Sequence, residues 1–184
     1  MGHNGAGKST LINCLCGFID HNYGNARMFN YDMENTMQRA RKRLGVVSQF
    51  DVLWDELTGI EHMQLFQTLK RVDIQNFEEF VQNRLDDVGL SDSGNLMVGK
   101  YSGGMRRRIS VALSTMGNPN VILMDEPTTG MDPVSRRHVW SLIQKLKVDT
   151  AIIMSTHAME EAEILSDKII VLDHGQLKCA GTSL

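Results

Sequence analysis

Apolar positions along the chain follow two rhythms, and these predict an alternation of helices and strands. Leu11, Ile12 and Leu15 recur at helical spacing, and Gly17 stands where that helix should end. Residues 20–24 are polar and read as a loop. Ala26 to Tyr31 reads as a short strand, and Thr36 to Leu44 as a helix with a basic face of Arg39, Arg41, Lys42 and Arg43. Gly45-Val46-Val47-Ser48 is an apolar strand ending at Gln49.

From Phe50 to about Asn118 the pattern is helical, without strands. Thr58 and Glu61 make a capping box ahead of a helix marked by Met63, Phe66 and Leu69. Phe77, Phe80, Val81, Leu85 and Val88 mark a second helix, and Ile109, Ala112, Leu113 and Met116 a third. Strand character returns at Asn120 to Met124, an unbroken apolar run expected of a parallel strand buried on both faces. A helix with a Val139, Leu142, Ile143 and Leu146 stripe follows, opened by Asp132 as cap and Pro133 in its first turn. Ala151 to Ser155 reads as another buried strand, Met159 to Leu165 as an acidic helix, and Lys168 to Asp173 as a final strand before a turn at Gly175. The sum is an α/β fold: a parallel-sheet core from residues 1–49 and 119–184, with residues 50–118 inserted as a helical subdomain.

The chain's 184 residues suffice for one domain with a sizeable core, and 42% hydrophobic with 22% charged residues is ordinary for a globular protein. A net charge of −3, with both signs mixed along the chain, gives no nucleic-acid footprint. No apolar run reaches the roughly 18 to 20 residues that a membrane span needs. Cys14, Cys16 and Cys179 are scattered without metal spacing and fit a reducing compartment.

Chemistry concentrates near the N-terminus. Gly2-His3-Asn4-Gly5-Ala6-Gly7-Lys8-Ser9-Thr10 fits the phosphate-loop pattern G-x-x-x-x-G-K-[ST]. Its glycines let backbone N–H groups approach phosphate oxygens, Lys8 adds a full positive charge, and the Ser9 hydroxyl suits Mg²⁺. Ser102-Gly103-Gly104 stands at a helix start with Ser102 as cap, which read alone is an ordinary capped helix. Asp125 and Glu126 end a buried strand, and alternation sends neighbouring carboxylates in different directions. His157 follows another strand, at the edge where open α/β sheets bind their ligands. Only Met1 precedes the loop, where a buried strand is expected, so the chain reads as a fragment lacking its first strands. The other end, Gly181 to Leu184, stops without a clear structural terminus.

The order of these motifs resembles the nucleotide-binding domain of ATP-binding cassette proteins, over nearly the whole chain. The resemblance implies a P-loop NTPase, RecA-like core with an inserted signature subdomain. It assigns Gly2, His3, Asn4, Gly5, Ala6, Gly7, Lys8, Ser9 and Thr10 to ATP phosphates, with Ser9, Gln49 and Asp125 as the Mg²⁺ shell. It makes Glu126 the general base, His157 the switch histidine on the γ-phosphate, and Asp132 part of a loop coupling two such domains. Ser102, Gly103 and Gly104 would bind ATP held by a second nucleotide-binding domain, the two closing head-to-tail around two nucleotides. Tyr101 and Met105 stand where the family commonly has Leu and Gln. That variant is similar to subfamily A, the lipid-transporting branch, as are Asp55-Glu56-Leu57-Thr58, Thr129 to Pro133 with Ser135-Arg136-Arg137, and Met159 to Glu163.

The resemblance thus implies an ATPase on the cytoplasmic face of a membrane transporter, with transmembrane domains outside this chain and lipid as the transported substrate. The family's adenine-stacking aromatic lies upstream of the phosphate loop, so base recognition is expected to be absent here. Two other readings stay open on the sequence: a soluble cassette ATPase without a membrane partner, and a non-catalytic fragment.

Overall fold

The computed structural model describes residues 1–28, 31–32 and 36–182. In chain order the elements are α1 (Lys8–Cys16), β1 (Arg27–Met28), β2 (Tyr31–Asp32), α2 (Met37–Arg41), β3 (Leu44–Val47), α3 (Gly59–Lys70), α4 (Phe77–Asp87) and α5 (Gly103–Ser114). They continue with β4 (Val121–Asp125), α6 (Pro133–Leu146), β5 (Ala151–Ser155), α7 (Met159–Leu165), β6 (Ile169–Asp173) and β7 (Gln176–Gly181). The strand expected from Ala26 to Tyr31 is a small antiparallel pair, β1 with β2, and residues 29–30 of that stretch lie outside the described residues. Ser183 and Leu184 lie outside them as well.

The central sheet is parallel, in the order β3-β4-β5, with Val47 opposite Met124 and Asp125 opposite Ser155. β4 is buried at all five positions, as its apolar run predicts. Its alternating side chains feed two cores. Val121 and Leu123 pack with Ile12, Cys16, Met28, Ala40 and Leu44, so the α1 side of the sheet closes one cluster. Ile122 and Met124 face the other way, into a larger cluster with residues of α3, α4, α5 and α6. Residues 50–118 therefore share a core with the sheet: Val111, Ala112, Leu113 and Met116 sit in the same cluster as Val47 and Met124.

Caps follow the sequence closely. The Thr58 N–H donates to the Glu61 carboxylate (2.8 Å) and the Glu61 N–H to the Thr58 hydroxyl (3.2 Å), completing the capping box of α3. Asp132 accepts from the Val134 and Ser135 N–H groups at 2.9 and 3.0 Å, and Ser102 from that of Met105 at 3.2 Å.

The structure departs from expectation in five further places. The helix expected from Thr36 to Leu44 spans only Met37–Arg41, and Leu44 opens β3. Leu69 is exposed, so α3 packs through Met63 and Phe66 instead. The chain reverses after Gly175 into β7, which pairs antiparallel with β6. Glu161 of the acidic helix is only 2% exposed and accepts from Thr128 Oγ1 (2.6 Å) and Trp140 Nε1 (3.1 Å). β5 is half open: Ala151 is exposed and Ile153 is 45% exposed. The reason lies at its outer edge, where no described strand pairs with it and a cavity of about 490 Å³ opens toward β6, lined by Ile152, Met154, Ile170, Leu172, Leu11 and Ile12. Across that gap Met1 donates to the Ile170 carbonyl (2.7 Å) and accepts from the Leu172 N–H (2.8 Å). Two bonds straddling Val171 are the spacing of a parallel ladder.

Two cations, the buried Arg107 and the half-buried Lys70, fasten the helical segment to the sheet. Arg107 of α5 is 6% exposed and donates to the carbonyls of Pro127 (3.0 Å), Asp125 (2.6 Å), Glu126 (3.0 Å) and Ser48, and to the Asp51 carboxylate (3.1 Å). Lys70 Nζ bridges the carbonyls of Leu44 (3.2 Å) and Met116 (2.9 Å), and burial pushes its ammonium down to about 8.

Removing Arg107 leaves several carbonyls and Asp51 without their donor, each at a cost of about 1–3 kcal/mol. Arg107→Met should therefore destabilise the chain by about 3–5 kcal/mol, the range for breaking a buried charged contact. Arg107→Lys should recover only part, because an ammonium lacks the planar fork. A shift in urea-unfolding stability under about 1 kcal/mol would contradict this role. Lys70 predicts a pH dependence. Its folded pKa lies below the unfolded value, so between about pH 8 and 10.5 the unfolded chain binds more protons there. Wild-type stability relative to Lys70→Met should rise across that window and stay flat below it, measured by urea midpoints at pH 7.5, 8.5 and 10.

Candidate functional site

The phosphate loop runs from the Met1 pairing on β6 into α1. A Cβ on Gly2 would lie 2.4 Å from the Leu172 carbonyl oxygen, so only glycine lets the loop sit this close to β6. Gly7 holds φ 97°, a left-handed turn that starts α1 with no side-chain cap and no acid in its first turn. Among the described residues no side-chain acceptor caps the leading N–H groups of α1, which with the helix dipole make the positive end of that helix. A Gly175 N–H bond to the Ala6 carbonyl (3.0 Å) ties the loop to the β6–β7 turn.

Lys8 is 6% exposed and folds back over the loop. Its Nζ donates to the Gly2 carbonyl (2.8 Å) and the His3 carbonyl (3.1 Å), and lies 3.4 Å from Glu126 Oε1. Its charge is thus held at the centre of the loop by weak neutral acceptors and one carboxylate, partners that a phosphate can replace.

The two acids after β4 part company as alternation requires. Asp125 is buried and accepts from the Ser155 hydroxyl, its partner across the β4–β5 ladder. Glu126 turns the chain at φ 47°, a left-handed position costing a non-glycine residue about 1–3 kcal/mol. The strained peptide is held on both sides: its N–H donates to the Ser155 carbonyl (3.1 Å) and hydroxyl (3.0 Å), and its carbonyl accepts from Arg107. The side chain emerges between three donors: Lys8, His157 Nδ1 at 3.3 Å and Thr129 Oγ1 at 3.0 Å. Burial pushes the Glu126 carboxyl up, but the bonds from Thr129, His157 and Lys8 together outweigh it and hold the group below its ordinary range. It stays a carboxylate at neutral pH, able to accept a proton.

His157 is half exposed and stands two residues beyond Ser155, with Thr156 Oγ1 accepting from the Ala158 N–H (3.0 Å) to turn the chain. Lys8, Glu126 and His157, 149 residues apart at the extremes, converge on one point. The donors that suit Mg²⁺ are the Ser9 hydroxyl in the first turn of α1, the Gln49 amide oxygen beyond β3, and the Asp125 carboxylate. All are hard oxygens, as that ion prefers. Gln49 is exposed, and Ser48 beside it is held by the same Arg107 that grips the Asp125 carbonyl.

Ser102, Gly103, Gly104 and Asp132 form a separate group. A Cβ on Gly104 would meet Ser135 Oγ at 3.6 Å and Asp132 Oδ2 at 4.0 Å, while Ser102 and Gly103 are exposed. Among the described residues no hydrogen bond or ion pair joins this group to residues 2–10. Sequence reasoning missed Arg107, Thr129 and Ser155. Arg107 sits four residues before buried Val111, on the buried face of α5, and that offset was its available signal. Thr129 and Ser155 carry no comparable mark.

The sequence model of a family described as "ABC transporter" matches residues 1–129. Among curated proteins the chain is 47% identical over its whole length to an ABC transporter A family member of Arabidopsis thaliana, covering 19% of that protein. It is 44% identical to one of Dictyostelium discoideum over 100% of this chain and 21% of that protein, and 40% to sub-family A member 2 of Rattus norvegicus over 100% and 8%. The chain thus spans about a fifth or less of these relatives' length. Among solved structures, an ATP-binding subunit of an ABC transporter aligns with TM-score 0.88 at 25% identity, over 99% of this chain and 76% of that one. A dimeric ATP-binding cassette bound to ADP and Pi aligns with TM-score 0.89 at 24% identity, over 100% and 84%, and shows the shared fold. The chain belongs to the ABC transporter family, and the curated relatives it matches along its whole length are members of the A family.

Proposed function

We propose that this chain binds Mg-ATP and hydrolyses it as the nucleotide-binding module of a membrane transporter for lipid. The observation that carries the reading is the convergence of Lys8, Glu126 and His157 at the mouth of a loop whose helix N-terminus is uncapped. Phosphoryl transfer needs mainly positioning and neutralisation of charge, and this arrangement offers both. The loop's N–H groups and Lys8 grip the phosphates, Lys8 leaving its present partners to do so. Mg²⁺, when bound through Ser9, Gln49 and Asp125, neutralises phosphate charge. Glu126, kept ionised by its neighbours, accepts the proton of the attacking water, and His157 donates toward the γ-phosphate.

Residues 1–49 and 119–184 act as the ATP-binding core, and 50–118 carry the signature. The exposed Ser102-Gly103-Gly104 helix start, with Asp132 beside it, faces a nucleotide held by a second such domain, so two domains pair head-to-tail. The relatives' names support a transporter setting. In that setting the chain sits on the cytoplasmic face, and its transmembrane partners lie outside it. No described helix is long and apolar enough to cross a membrane. Lipid movement is tested with the full-length protein in vesicles, where ATP-dependent headgroup exposure should vanish in the Glu126→Gln form.

For the chain itself, Glu126→Gln should bind Mg-ATP within about threefold of wild type while turnover falls by about 10²-fold or more, the worth of a general base. The same variant with ATP should sediment as a dimer, and adding Ser102→Arg should return it to monomer. Unchanged turnover sinks Glu126 as the base. A variant that turns over slowly but stays monomeric with ATP sinks the paired arrangement.

A further inference from the structure

On the outer side of the phosphate loop, three metal-ligating side chains meet from opposite ends of the chain. His3 Nε2 lies 2.7 Å from Asp173 Oδ1, and His174 Nε2 lies 3.7 Å from the same oxygen. One ligand atom from each of the three falls within 4.8 Å of the other two. We propose that His3, Asp173 and His174 form a binding site for a divalent transition-metal ion of the zinc class, which pins the phosphate loop to the β6–β7 turn.

The donor set is two imidazoles and one carboxylate, which suits Zn²⁺ and its neighbours and not Mg²⁺. Four-coordinate bonds of about 2.0–2.2 Å place ligand atoms about 3.3–3.6 Å apart. The observed separations bracket that spacing, and all three side chains are exposed enough to adjust by the difference. A second observation concerns the His3 ring. Its Nδ1 hydrogen-bonds the Asn4 carbonyl at 2.6 Å, where only an N–H can serve, so the ring is already oriented with Nε2 toward Asp173. Metal-bound histidines are held by that same outer bond. His174 stands at φ 48° ahead of Gly175 at φ 73°, a two-residue turn that sets it beside Asp173. Lys178 Nζ lies 3.7 Å from Asp173 Oδ2, leaving Oδ1 to the histidines.

Without metal, a proton on His3 Nε2 bridges it to Asp173, because Nδ1 already donates to the Asn4 carbonyl. The ion takes that proton's place, releasing it to solvent, so binding weakens as pH falls. The charged groups facing His3 are Asp173 and His174 from the turn, Lys178 through Asp173, and Lys8 from α1. The loop already bonds to this turn through Ala6 and Gly175, and the metal adds a second tie in the same place. None of this depends on ATP hydrolysis.

The test is Co²⁺ titration of the chain in millimolar Mg²⁺, followed by visible d–d absorption and displaced by Zn²⁺. One ion per chain should bind, more weakly at pH 6 than at pH 8. His174→Asn, which preserves the left-handed turn, and Asp173→Asn should each weaken binding by at least about tenfold. Both should leave the thermal transition and ATP binding in place. Cys179→Ser should change nothing. Absence of saturable binding, binding indifferent to both substitutions, or a thiolate charge-transfer band would overturn the proposal.

Discussion

One buried guanidinium gathers the ends of β3 and β4 and the turn that follows β4. Arg107 cannot be desolvated without acceptors, because an unpaired charge in the interior is far more costly than any fold of this size can absorb. Its five donors find four backbone carbonyls and one carboxylate, drawn from the end of β3, the end of β4 and the turn after it. Those segments are the ones that carry Gln49, Asp125 and Glu126. The helix that presents the Ser102-Gly103-Gly104 start is therefore tied by a single side chain to the strand ends that present the acids. A movement of one element must be felt by the other, since packed interiors shift between discrete arrangements and do not stretch.

Within that frame, strain and charge balance each other. The left-handed Glu126 peptide is unfavourable alone and is kept by bonds on both of its polar groups. What the strain gains is direction: Asp125 stays inside against Ser155, and Glu126 swings out to Lys8 and His157. Lys8 in turn rests on carbonyls of its own loop. The result is a cation and an anion held close together but only partly satisfied, at a helix end that repels cations and attracts phosphate.

Much of this was legible in the sequence because it is local. Gly2 to Thr10 announces an anion cradle through glycine and lysine spacing, and Thr58 with Glu61 or Asp132 with Pro133 fix helix starts by chemistry within one turn. β4 was readable from its unbroken apolar run. The remainder depends on residues far apart along the chain. Nothing near Arg107 says that it meets carbonyls from β3 and β4, and nothing near His3 says that Asp173 will face it. The openness of β5 follows from what pairs with its edge, which its own apolar letters do not encode. Glu161 looks like surface charge until Thr128 and Trp140 are brought to it, and β7 alternates only from Gln176 to Cys179 and buries neither face, so no apolar stripe announces it.

In the proposed function the uncapped start of α1, Lys8 and the Glu126 turn make one phosphate site inside the frame held by Arg107. Backbone amide hydrogen exchange of the chain with and without Mg-ATP reads that site residue by residue. Exchange should slow at residues 5–10 and at Glu126 and Thr129, with the core of β4 unchanged and the effect lost in Lys8→Ala. Protection confined to other surfaces, or none at residues 5–10 at saturating nucleotide, would contradict it.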